Sequence, residues 1–122
     1  MDPVPAIIRP SAQTCPECGG AMREEAIGNL TRFRCHIGHA MTAEVLAANQ
    51  LEELETSIST VLRTLNERAA LCRELCEKQE ARGNHGGAEL WRRAAEEAQR
   101  REQMAQQLVN SDWLHPEVVE AG

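Results

Sequence analysis

The sequence predicts a small metal-stapled ribbon followed by a mainly α part, an antiparallel helical hairpin of coiled-coil type. Three observations predict it. Cys15, Cys18, Cys35 and His39 gather metal-ligand residue types at ribbon spacing near the start of the 122-residue chain. From 43 to about 82 an apolar repeat at spacings of three and four runs without a breaker. Gly83, Asn84, Gly86 and Gly87 then crowd a short loop ahead of a second amphipathic run.

Taken in order, residues 1–13 hold Pro3, Pro5 and Pro10 without an apolar period, and are expected to form an extended or disordered lead. Residues 14–41 form the ribbon. Within it, Gly28-Asn29 is a turn signal between segments 21–27 and 30–34, which can pair as a hairpin. Alternation along the second segment puts Arg32 and Arg34 on one face, Phe33 and Cys35 on the other, so this strand delivers Cys35 to the metal side.

Thr42 is an expected N-cap, with Glu44 in the first turn where a carboxylate meets free amides. The first arm carries Leu51, Leu54, Ile58, Val61, Leu65, Cys72 and Leu75 as a heptad-like seam interrupted at Arg68. Such an arm is ~60 Å long at 1.5 Å per residue. The second arm, from about 88 to 109, repeats Trp91, Ala94, Ala98, Ala105 and Leu108 on one face, and its alanines allow close approach. The hairpin is thus expected over 42–110, with a flexible tail over 111–122 introduced by Asn110-Ser111-Asp112 and Pro116. The first arm exceeds the second by roughly 15 residues. Its surplus must cover Leu46, Leu51 and Leu54 with the ribbon or with a second subunit.

The Cys15-Pro-Glu-Cys18 knuckle lets two thiolates converge on one cation, and Cys35 with His39 completes a four-ligand set. Three thiolates and an imidazole suit tetrahedral zinc better than a four-thiolate iron centre. Four protein ligands leave no open position for substrate or water, so the expected role of zinc is structural. His36, next to Cys35, is an alternative fourth ligand. Cys72 and Cys76 stand at i and i+4, a spacing that suits a second metal site or a redox pair. The simpler reading makes Cys72 a small core residue and Cys76 its flank.

Charge and composition narrow the function further. The net charge is −6, and all of it falls beyond residue 39, which argues against a phosphate-binding helical surface. Aromatics are limited to Phe33, Trp91 and Trp113, so the expected core is thin and aliphatic. No stretch reaches the ~18 apolar residues of a membrane span, and 1–10 lack the pattern of a secretory leader. An odd count of five cysteines reads as ligands plus free thiols, and the expected compartment is the cytoplasm.

Several segments together resemble a known module. They are Cys-Pro-Glu-Cys-Gly-Gly at 15–20, Arg-Phe-Arg-Cys-His-Ile-Gly-His-Ala at 32–40, Leu-Asn-Glu-Arg-Ala-Ala-Leu at 65–71, Ala-Arg-Gly-Asn at 81–84 and Arg-Arg-Ala-Ala-Glu-Glu-Ala at 92–98. In this order they resemble the C-terminal extension of some bacterial chemotaxis protein-glutamate methylesterase homologues, over about three quarters of the chain. The resemblance favours His39 over His36, because the Gly-His pair recurs in that family while the position after the third cysteine varies. It implies a bacterial signalling context. The chain shows no counterpart of the catalytic domain: none of Ser11, Thr14, Thr31 and Thr42 has a glycine on each side, so esterase chemistry has no candidate nucleophile.

The expected function is a non-enzymatic, zinc-binding protein-interaction or dimerisation module with a protein partner, most simply a second copy, and with neither membrane nor nucleic acid. Two alternatives belong to other classes. One is a transcription regulator that inserts a helical hairpin into RNA polymerase beside a zinc globule, although residues 81–87 lack the paired acidic tip such factors use. The other is a thiol redox or metal sensor built on Cys72 and Cys76.

Overall fold

The computed structural model describes residues 7–116. Four strands come first: β1 (Ile7–Thr14), β2 (Ala21–Ile27), β3 (Leu30–Cys35) and β4 (Ala40–Thr42). Two helices follow, α1 (Ala43–Ala81) and α2 (His85–Asn110). The strands form one antiparallel sheet in the order β1-β2-β3-β4.

The β2–β3 hairpin matches the expected turn, with Ile27 opposite Leu30 and Met22 opposite Cys35. β1 is new. It pairs Ile7 with Ala26 and Pro10 with Arg23, where the sequence suggested an extended or disordered lead; residues 1–6 lie outside the described residues. Proline and a register shift between Pro10 and Thr14 disguised the strand, and both are tolerated because β1 is an edge.

One face of the sheet buries Cys15, Met22 and Cys35, and Leu46 from the start of α1 packs with them, flanked by Phe33 and Met41. The ribbon itself therefore covers Leu46. On the opposite face Glu25 is buried between arginines. Arg32 donates to its Oε2 through Nε at 2.8 Å and Nη2 at 2.6 Å, and Arg34 Nε donates to Oε1 at 2.9 Å. The Arg32 guanidinium holds the Glu25 carboxyl below its usual range against the opposing effect of burial, and Arg34 adds to the lowering. The expected division of faces along β3 thus holds, and Glu25 is what gathers the arginines.

Thr42 caps α1, its Oγ1 accepting from the Val45 amide at 3.3 Å. The chain divides into two compact units, one with the sheet and α1 as far as Glu53, the other from Leu54 to Leu114. This differs from a division at 41/42 by the first turns of α1, the stretch that contributes Leu46.

Within the second unit, the inward row on α1 is Ile58, Leu62, Leu65, Ala69, Cys72 and Cys76, of which Ala69 and Cys72 are 1% exposed. The expected seam is corrected here. Val61 is 47% exposed, and Ala69 rather than Arg68 takes the inward position, so the apparent interruption vanishes. Leu62, one position on from Val61, keeps the steps of four and three through Leu65 and Ala69. On α2 the row is Ala88, Trp91, Ala95, Ala98, Glu102 and Ala105, and Leu108 is 52% exposed instead of inward.

Only residues 82–84 separate the helices. The Asn84 amide donates to the Gln79 carbonyl at 2.9 Å and the Gly83 amide to Glu80 at 3.0 Å, with Gly83 at φ +77°, a Schellman ending. Asn84 then begins α2, its Oδ1 accepting from the Gly87 amide at 3.0 Å. The glycine-rich loop is thereby shorter than expected, because this cap draws His85, Gly86 and Gly87 into the helix. Close to the turn, Glu80 of α1 meets His85 at 3.0 Å and Arg92 at 3.5 Å. Two cavities are lined by both helical segments: one by Arg73, Cys76, Arg92, Ala95 and Gln99, the other by Glu55, Ile58, Val109 and Trp113. Trp113 is half-buried in the second, so in the expected tail it docks on its own unit; residues 117–122 lie outside the described residues.

Candidate metal centre

Two short loops build the site. After β1 the chain turns through Cys15–Gly20, where the Cys15 amide donates to the Gly20 carbonyl and the Gly19 amide to the Cys15 carbonyl, both at 2.8 Å. After β3 a second loop repeats the device: the Cys35 amide donates to the His39 carbonyl at 2.9 Å and the Gly38 amide to the Cys35 carbonyl at 3.1 Å. Gly19 at φ +76° and Gly38 at φ +115° hold backbone conformations that a side chain would strain. Gly38 was not among the residues that the sequence singled out. A glycine three residues after a cysteine was the available signal.

The loops bring Cys15, Cys18, Cys35 and His39 together with their ligand atoms all within 4.8 Å of one another, a group able to hold a metal ion. Cys18 Sγ stands 3.7 Å from Cys35 Sγ, well beyond the ~2.0 Å of a disulfide. His39 Nδ1 faces Cys35 Sγ at 3.4 Å and Cys15 Sγ at 3.6 Å. Cys15 and Cys35 are buried and Cys18 is exposed. His36, the alternative fourth ligand, is exposed and outside the group.

Electrostatics divide the thiols. Burial works to raise Cys35, but the backbone amides of His39, Gly38 and Ile37, helped by Cys18, outweigh it and lower the thiol to about 6. For Cys18 the Gly20 amide acts to lower the value, while desolvation and the Cys15 and Cys35 thiols override it, and the result is raised. One sulfur of the group is thus prepared as a thiolate and its neighbour resists ionisation beside it. A cation among them removes that conflict, since each anionic sulfur then faces positive charge.

The other cysteines are separate from this group. Cys72 is buried in the inward row of α1, as the simpler reading expected, and Cys76 is half-buried at the cavity shared with α2. His85 pairs with Glu80. The described residues contain no further group of three or more ligand-type side chains able to hold a metal. They also contain no helix long and apolar enough to cross a membrane. No protein-family model matches the chain, and neither a curated protein nor a solved structure is significantly similar to it.

Proposed function

We propose that this chain is a non-enzymatic module in which structural zinc, held by Cys15, Cys18, Cys35 and His39, stabilises a ribbon joined to a protein-interacting helical hairpin. The observation that carries the zinc reading is the spacing of the ligand atoms. With Zn–S of ~2.3 Å and Zn–N of ~2.0–2.1 Å, a tetrahedral site has S···S edges of ~3.8 Å and S···N edges of ~3.6 Å. Of the six separations among the four ligand atoms, one S···S is 3.7 Å and two S···N are 3.4 and 3.6 Å, and all lie within 4.8 Å. An imidazole among three thiolates suits zinc better than iron. Four protein ligands fill the coordination, which makes the metal a staple and not a catalyst.

The hairpin reading is supported by the inward rows of α1 and α2, both at steps of three and four, and by the cavities that the two helices line together. Alanines at 69, 88, 95, 98 and 105 suit close, antiparallel packing. The interaction reading is supported by what stays uncovered. Leu54, Val61 and Leu71 on α1, with Leu90, Met104 and Leu108 on α2, are exposed, and a second copy or another protein is the natural cover. Bacterial signalling is the setting that the motif resemblance suggests.

Native mass spectrometry of the whole chain, combined with light scattering, tests the proposal. One zinc per chain, lost in Cys18→Ser, is the expected result, together with a dimeric mass at micromolar concentration. A metal-free chain, or zinc retained by Cys18→Ser, refutes the zinc site. A strictly monomeric mass refutes self-association and leaves a different protein as partner.

A further inference from the structure

A side chain outside the four ligands bears on the site. Glu17 lies in the loop between the first two cysteines, and its Oε2 stands 3.3 Å from Nε2 of His39. The other ring nitrogen, Nδ1, faces the Cys35 and Cys15 sulfurs. Neutral imidazole carries one N–H, and either nitrogen can hold it. A carboxylate only accepts hydrogen bonds, so beside Glu17 the favoured tautomer has its proton on Nε2. The opposite tautomer would set the Nε2 lone pair against the carboxylate and aim an N–H at the position a metal needs.

We infer that Glu17 is the positioning residue of this centre: its carboxylate, an ion-pair contact of His39 Nε2 at 3.3 Å, closes onto Nε2–H when metal binds and so commits Nδ1 as the metal-ligating atom. The inference rests on the zinc reading of the cluster and goes beyond it by assigning the ligating nitrogen and its partner. One six-residue loop, Cys15–Gly20, then supplies two ligands and orients a third that comes from the other loop. Glu17 is not itself a ligand, because its carboxylate lies outside the convergent group and meets the nitrogen turned away from the sulfurs. Its side chain is 61% exposed, so removing it leaves the buried Cys15, Met22, Cys35 and Leu46 in place. An outer partner of this kind typically contributes a factor of ~10–100 in metal affinity.

The test uses the full chain, zinc(II) alone as the probe, a competing chromophoric chelator, and nitrogen-15 spectra of the histidine rings. Three proteins are compared: wild type, Glu17→Ala, and Glu17→Gln, whose amide oxygen can still accept from Nε2–H. In wild type the spectra are expected to show His39 bound through Nδ1 with the proton on Nε2. Glu17→Ala is expected to bind zinc ~10-fold more weakly and to lose the single tautomer, and Glu17→Gln to recover Nδ1 ligation with intermediate affinity. A merely structural role for Glu17 would not move the ring-nitrogen signals. Ligation through Nε2 in wild type, or unchanged affinity and tautomer in Glu17→Ala, overturns the inference and leaves the zinc site standing. Absence of zinc uptake, or uptake that survives Cys18→Ser, overturns both.

Discussion

Removing the metal should dissolve the ribbon and spare the helices beyond it. In the sheet unit, Met22 and Leu46 are the large apolar side chains that are fully buried, apart from the ligand cysteines. Each such side chain contributes ~1.5–3 kcal/mol when buried, so together they supply ~3–6 kcal/mol. Structural zinc supplies ~10 kcal/mol or more in modules of this size, so on the proposed zinc reading the metal decides whether the sheet forms. The helical cost is bounded by the division of the chain. α1 and α2 hold 39 and 26 residues, and of these only 43–53 belong with the sheet. If that stretch melts with the ribbon, far-ultraviolet circular dichroism loses at most about a sixth of its helical signal, as expected for a local unfolding unit. Trp91 and Trp113 both lie in the other unit, so their emission should stay constant while Cys15, Cys18 and Cys35 become titratable. Collapse of the whole helical signal on chelation, or a shift in tryptophan emission in step with metal loss, would refute this reasoning.

Other expectations follow from single residues. Because Arg32 lowers the Glu25 carboxyl in the folded state, that group stabilises the sheet above its unfolded value of ~4.3 and ceases to do so as pH falls through the folded one. Thermal melts from pH 6 down to 3 should consequently show a shallower acid loss in Glu25→Gln than in wild type, and parallel curves would count against the assignment. In the folded, zinc-loaded protein Cys76 should react with a thiol reagent well before Cys72, which is 1% exposed; equal rates would mean that the inward row opens readily. Gly83→Ala forces a side chain into a φ of +77° and should destabilise the helical unit by ~1–2 kcal/mol, read from urea midpoints with an unchanged slope.

The convergence of Cys15, Cys18, Cys35 and His39 was legible in the sequence because metal chemistry restricts both residue type and spacing, and a β-hairpin between the two loops left little freedom. β1 was not, because pairing is a long-range choice: Ile7–Thr14 earns its place from β2, and its proline argued locally against a strand. The inward row of α1 was legible to within one residue. Arg68 obscured it, since an alanine beside a charged side chain gives a weak apolar signal even when, as at Ala69, it is the more buried. The roles of Glu17 and Glu25 could not be read at all, since both depend on partners that the fold supplies from 22 and 7 residues further along, His39 and Arg32.

The turn between the helices places an unusual demand on Asn84. Its amide closes α1 by reaching back to Gln79, and its side chain opens α2 by reaching forward to Gly87. A residue inserted between 79 and 84 breaks the first spacing, and one inserted between 84 and 87 breaks the second. Surface connections ordinarily absorb added length at slight entropic cost. This one works as a ruler: in descendants of the chain its length should stay fixed, and insertions should accumulate elsewhere.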